Sequence, residues 1–289
     1  MGIRTDMAAE AFSQAGGAGK LAGVKVITKT DQNTSFEITD ITIQSIEAAQ
    51  KLGKPVGRYI TVRASDQPFD MYSDCFEDRA ELLADIIKNL CGGADKALVA
   101  GLGNKSITPD AVGPLAAEEI FATRHIKRLS AELDCGDLAE ITAVSTGVLG
   151  QTGLEAAEQV SALTKLVEPQ VVVVIDALAC SEMDNLGRSV QLCDTGISPG
   201  SGVENARKEL SENTLGVKCI AIGVPTVVDL TTAAEHIFGS QAPDTAENMI
   251  VTPKSVDRLV QNCAKLIAMA VNRAFHTSLT QEDIQSLVF

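Results

Sequence analysis

Hydrophobic positions along the chain switch repeatedly between two spacings. Val24–Thr28 and Phe36–Ile43 alternate apolar and polar residues, the period of strands with one covered face. A helix-like segment then runs to Leu52, and Gly57–Val62 reads as another strand. From Arg79 to Leu90 the period lengthens. Leu82, Leu83, Ile86, Ile87 and Leu90 share one helical face, and Gly92-Gly93 closes the helix. Ala97–Leu102 and Ile141–Ser145 read as strands, and Leu154–Val167 as a helix. Thr108-Pro-Asp opens a predicted long helix to about Leu129, with Thr108 as N-cap, Pro109 at the first helical position and Asp110 in the first turn. An Ala-rich helix is expected at 7–15. Closing helices are expected at Thr226–Phe238, Pro253–Phe275 and Thr280–Leu287, and 239–249 is a polar loop. This alternation predicts an α/β fold, a mainly parallel or mixed sheet with helices on both faces.

The most apolar block lies at 166–229. Val171–Ile175 is an unbroken β-branched run, as expected of a strand buried on both faces, and it stops on Asp176. Val190–Cys193 stops on Asp194 and opens the glycine-rich loop Thr195–Gly202; Val217–Gly223 ends at Pro225. Open α/β sheets place ligands beyond the carboxyl ends of their strands. A carboxylate behind five apolar residues is costly to bury unless paired or protonated, which singles out Asp176. Asp110 and Asp176 each have an ordinary structural reading, but as a pair both lie at strand carboxyl ends. The helix N-terminus favours Asp110 as the carboxylate, and the apolar strand favours Asp176 as the neutral acid. Such a pair suits general acid–base activation of water.

Composition removes several alternatives. The 289 residues carry a net charge of −14, with no Trp and two Tyr, which argues against direct nucleic-acid binding. No run of about 18 apolar residues is present and the N-terminus lacks a secretory apolar core, so no membrane span is expected and a cytoplasmic location is. Seven cysteines without a C-x-x-C pair fit reduced, buried thiols. The three histidines show no H-x-x-x-H spacing, so no metal is expected. Gly101-Leu-Gly103 and Gly200-Ser-Gly202 are incomplete phosphate loops, so no cofactor is expected. Gly196-Ile-Ser-Pro-Gly200 matches a serine-nucleophile pattern, but its oxyanion donor would be Pro199, which has no N–H. Asp194-Thr-Gly196 matches a pepsin-like triplet, in a chain whose helices exclude that all-β fold.

Longer motifs carry a specific resemblance. Gly101-Leu-Gly-Asn104, Thr108-Pro-Asp-Ala-Val-Gly-Pro114, Ile175-Asp-Ala-Leu-Ala179, Asp194 through Val203, Arg207-Lys-Glu-Leu210 and Ala221 through Asp229 resemble the germination protease family. Arg4-Thr-Asp-Met-Ala-Ala-Glu10 and Met249-Ile-Val-Thr-Pro-Lys254 fit as well. The resemblance implies an atypical aspartic endopeptidase of hydrogenase-maturation-peptidase-like fold that degrades small acid-soluble spore proteins in the spore core and assembles as a homotetramer. It places the catalytic aspartates at Asp110 and Asp176. It also implies a self-processing zymogen cut between Asp6 and Met7, leaving residues 7–289 as one peptidase domain. Asp194, Ser201 and Gly202 are candidate cleft-lining residues. The competing readings are a metal-dependent peptidase using the same carboxylates, and a non-catalytic binding protein of the spore interior.

Overall fold

The computed structural model describes residues 5–17, 21–71, 74–129, 138–198, 208–239 and 249–288. After α1 (Ala8–Gln14), the alternating segments fold back on one another as an antiparallel meander. It comprises β1 (Val24–Asp31), β2 (Phe36–Ile43), α2 (Ile46–Leu52) and β3 (Gly57–Ala64). Strand–helix alternation then takes over with α3 (Phe76–Cys91) and β4 (Lys96–Leu102). A single 3-10 turn, Thr108–Asp110, leads to α4 (Val112–Glu118) and α5 (Arg124–Leu129). Next come β5 (Glu140–Gly147), α6 (Leu149–Thr152), α7 (Ala156–Val167), β6 (Val171–Cys180) and β7 (Ser189–Cys193). The chain closes with α8 (Glu212–Leu215), β8 (Lys218–Asp229), α9 (Leu230–Phe238), β9 (Ile250–Val251), α10 (Val256–Phe275) and α11 (Gln281–Val288).

All of these strands join one mixed sheet, in the order β1-β2-β3-β7-β8-β6-β4-β5, with β9 beside β8. The half from β8 to β5 is parallel; β7 runs antiparallel to both β8 and β3 and joins the meander on. Val171 to Ile175 are all fully buried because β6 is central and covered on both faces. Val171, Val173 and Ile175 point to the layer of α3, α4 and α10, while Val172 and Val174 meet Leu98, Ala100 and Val160 on the α7 side. The α1–α2 pair covers the antiparallel half on that second side, against Ile41, Ile43, Tyr59 and Cys193.

Three features differ from the sequence expectation. The long helix from Thr108 to Leu129 is broken, and Thr108 is the first residue of the 3-10 turn instead of a side-chain cap. The break follows from competing partners for the backbone. Asn272 of α10 accepts the Phe121 N–H and donates to the Glu119 carbonyl, while Thr123 exchanges hydrogen bonds with Ile141 at the edge of β5. β6 does not stop at Asp176 but continues to Cys180, and β8 continues through Pro225 to Asp229. A register shift lets Pro225, which has no N–H to donate, stay in the strand: Leu178 faces Pro225, and Ala179 faces Val227. The strand pair β8–β9 borders the loop expected at 239–249, most of which lies outside the described residues.

Candidate active site

The crevice forms where β4 and β6 part. Their pairing ends at Gly101 opposite Ile175, while β6 stays paired with β8 through Cys180, with Asp176 opposite Gly223. The 3-10 turn and α4 fill the resulting gap. They approach so closely because two glycines lack side chains: a Cβ on Gly101 would lie 2.0 Å from the Gly113 carbonyl oxygen, and one on Gly113 would lie 2.4 Å from the Ile175 carbonyl oxygen. Gly103 has φ of +111°, and a Cβ there would meet the Asp110 carbonyl oxygen at 2.1 Å. Strand end, turn and helix are thereby locked together, and the turn carries Asp110 to the edge of β6.

Asp110 is half-buried, and its Oδ2 accepts the Asn104 N–H at 2.7 Å. The turn is tied to β8 by Thr226, whose hydroxyl donates to the Pro109 carbonyl at 2.7 Å. Asp176 is buried at 6% exposure, and its Oδ1 accepts the N–H of Ala177 at 2.9 Å. Both carboxyls line one groove of about 260 Å³, together with Leu102, Pro109, Leu178 and Thr226. Asp6 lines it too.

The N-terminal segment is seated beside this groove. The Asp6 N–H donates to the Ala179 carbonyl at 3.0 Å, and the Asp6 carboxylate accepts the Ala179 N–H at 2.9 Å. The Asp6 carbonyl accepts from Lys54 Nζ at 2.9 Å and from Gln191 Nε2 at 3.1 Å. Gln191 Oε1 in turn accepts the Ala8 N–H at 2.6 Å, so one side-chain amide spans the Asp6–Met7 peptide. Met7 is fully buried among Leu178, Cys180, Leu186 and Val228. Glu10, 1% exposed, accepts from the Ser181 N–H and hydroxyl at 2.7 Å each, the Asn185 amide at 2.7 Å, the Glu182 N–H at 3.1 Å, and the Thr5 hydroxyl. Burial pushes the Lys54 ammonium below its ordinary lysine value, opposed first by the negative charge of Asp6.

The structure brings Asp110, Asp176, Asp6 and Met7 together, but not Asp194. Because β7 is antiparallel to β8, Asp194 leaves its strand three residues from the level of Asp176, and its Oδ1 accepts the Arg58 N–H at 2.7 Å on β3. It lines neither the groove with Asp110 nor the adjoining pocket beneath Lys54, so its role as a cleft wall is replaced by one of fastening β3 to the loop after β7. Ser201 and Gly202 lie outside the described residues, as do Pro199 and Gly200 of the serine pattern. Among the described residues, no three His, Cys, Asp or Glu side chains converge to hold a metal, no helix is long and apolar enough to cross a membrane, and five of six free cysteines are buried. Sequence reading missed Lys54 and Gln191. Gln191 left a trace, as a polar residue between Val190 and Leu192 in an apolar strand; Lys54, on the turn after α2, left none.

The two carboxyls thus lie at the carboxyl edge of the parallel half of the sheet, where open α/β folds place their ligands. The family model described as Germination protease matches residues 4–239, and the chain belongs to that family of spore-germination proteases. Germination proteases of Clostridium tetani and Caldanaerobacter subterraneus subsp. tengcongensis are each 36% identical to it, covering 99% and 100% of this chain and 99% and 98% of their own. That of Priestia megaterium is 31% identical, over 97% of this chain and 95% of its own. Among solved structures, the [NiFe] hydrogenase maturation protease HycI from Thermococcus kodakarensis aligns with 64% of this chain and 98% of its own, at 18% identity and a TM-score of 0.38.

Proposed function

We propose that this chain is an endopeptidase that begins the degradation of small acid-soluble spore proteins at germination, using Asp110 and Asp176 to activate water against a peptide bond. The observation that carries this reading is that Asp6 lines the same groove as the two carboxyls. In this reading residues 1–6 are a propeptide, and the Asp6–Met7 bond, in Thr-Asp-Met-Ala-Ala-Glu, is a built-in copy of the substrate sequence. One carboxylate accepts a proton from water as it attacks the carbonyl carbon, and a carboxylic acid returns a proton to the departing nitrogen. Family membership further supports a tetramer working in the spore core without a cofactor.

The test is cleavage of a peptide containing Thr-Asp-Met-Ala-Ala-Glu by the chain lacking residues 1–6, read by mass spectrometry with and without EDTA. Cutting after Asp that survives EDTA and disappears in Asp110→Asn and Asp176→Asn is the expected result. Loss with EDTA moves the same carboxylates to a metal site, and undiminished cutting by either variant removes that residue from the chemistry. Light scattering of the intact chain reads the subunit number.

A further inference from the structure

The Asp6 carbonyl oxygen accepts from both a side-chain cation, Lys54, and a side-chain amide, Gln191. We propose that Lys54 and Gln191 are the oxyanion-stabilising pair of this peptidase, holding the carbonyl oxygen of the bond that is cut. The inference rests on the reading that Asp6–Met7 is a scissile bond.

The geometry favours this over simple docking. Gln191 stands level with Asp176 in the sheet, since both face Gly223 across β8 from opposite sides. Gly223, against which the Leu178 side chain packs, lines the pocket that also holds Lys54 and Gln191. Gln191 grips the backbone on both sides of the bond, donating to the residue 6 carbonyl and accepting from the residue 8 N–H. Such backbone contacts select no particular side chain.

In the reaction, water oxygen bonds to the Asp6 carbonyl carbon while a carboxylate takes one water proton. The C=O electron pair moves to the oxygen, where the Lys54 ammonium and the Gln191 amide stabilise it. Collapse re-forms C=O and breaks the C–N bond, and the protonated carboxyl gives its proton to the Met7 nitrogen. The products are an Asp6 carboxyl and a Met7 amine. With this pair in place neither aspartate has to protonate the carbonyl oxygen, and both are free for the water and the leaving nitrogen.

The groups facing Lys54 are Asp6 and Glu10 of the N-terminal segment and Cys193 of β7, with Tyr59 and Glu209 lining the same pocket. Lys54 must be protonated to act, so activity falls on the alkaline side as Lys54 loses its proton.

The test is first-order self-cleavage of the full-length chain, followed by intact mass, beside hydrogen exchange of residues 5–14. Lys54→Met is expected to slow cutting by about 10²–10³-fold, the loss typical of one oxyanion donor, with the segment still protected. Gln191→Leu is expected to slow it similarly. Lys54→Arg keeps measurable cutting and moves the alkaline limb to higher pH, because guanidinium stays charged above about pH 12. Cutting by Lys54→Met within about threefold of wild type overturns the proposal. So does slowing that only tracks lost protection of residues 5–14, with the alkaline limb of Lys54→Arg unmoved. If Lys54→Met does not fold, Lys54→Arg and Gln191→Leu decide by the same criteria. Asp110→Asn and Asp176→Asn run in parallel: cutting lost there but kept in Lys54→Met sinks only this pair, and the reverse pattern sinks only the aspartates. A wild-type bond that stays intact overturns both.

Discussion

Replacing Gly113 by Ala adds one methyl at a close contact between α4 and the ends of β4 and β6. That carbon would lie 2.3 Å from the Leu102 carbonyl oxygen, 2.4 Å from the Ile175 carbonyl oxygen and 2.6 Å from the Leu102 nitrogen. Comfortable non-bonded separations begin near about 3.5 Å, so α4 has to retreat by about 1 Å, because the three atoms belong to central strands that cannot give way. Overpacking of this kind costs about 1–3 kcal/mol, which for a chain of this size lowers Tm by about 2–12 °C. The catalytic effect is expected to be larger in proportion. Only Ala111 separates Asp110 from the start of α4, and the Asp110 carboxylate accepts the Asn104 N–H at 2.7 Å. A displacement of 1 Å in a reacting group costs about 10²-fold. The assay is peptide cleavage beside thermal unfolding, with Gly150→Ala as control, where nothing lies within 4 Å of an added methyl. The expected result for Gly113→Ala is a fall in kcat of about 10²-fold at nearly unchanged KM, with cooperative unfolding retained. A kcat within about threefold of wild type, together with an unshifted Tm, would falsify the claim that this contact sets the position of Asp110.

Two further outcomes follow from buried polar groups. Glu10→Ala leaves the Ser181 and Glu182 N–H groups and the Asn185 amide without the carboxylate that now accepts from them, a loss of about 3–5 kcal/mol at the docking of α1; hydrogen exchange of residues 7–14 is expected to rise sharply, and unchanged protection would refute it. His276 is fully buried, with Nε2 3.3 Å from the Phe121 carbonyl oxygen, and burial lowers its pKa. The unfolded chain therefore binds a proton that the folded chain resists, and stability falls as pH drops through the unfolded value of about 6.5. Denaturant midpoints from pH 8 to 5 are expected to slope less in His276→Gln, and parallel slopes would remove His276 as the cause.

Much of this was legible where pattern and physics act locally. The alternation at Phe36–Ile43, the helical face of Leu83, Ile87 and Leu90, and the β-branched run at Val171–Ile175 all fold as their spacing predicts. What the spacing did not contain was partnership. Alternation pointed to one covered face on β2, but not to β7 running antiparallel and carrying Asp194 away from the other carboxyls. The break after α4 depends on Asn272, about 150 residues downstream of Phe121. Asp110 and Asp176 could be singled out from strand ends and apolar context, even though β6 in fact runs on past Asp176, because what matters is where β4 stops pairing. Lys54 joins the site only through the seated segment, a contact that no local pattern encodes.

The Glu10 anchor has a consequence for the charge of the groove. The anchor and the buried Met7 side chain lie downstream of the Asp6–Met7 bond, so cutting that bond leaves them in place. What the proposed cut would release is Asp6, one of three carboxyls lining the groove. What remains is a new α-amino group on Met7, ordinarily protonated below about pH 7.7–8.0 and held at the groove's edge. Under the proposed cleavage one negative charge leaves and one positive charge appears, so a processed molecule would carry an electrostatic record of that cut beside the groove.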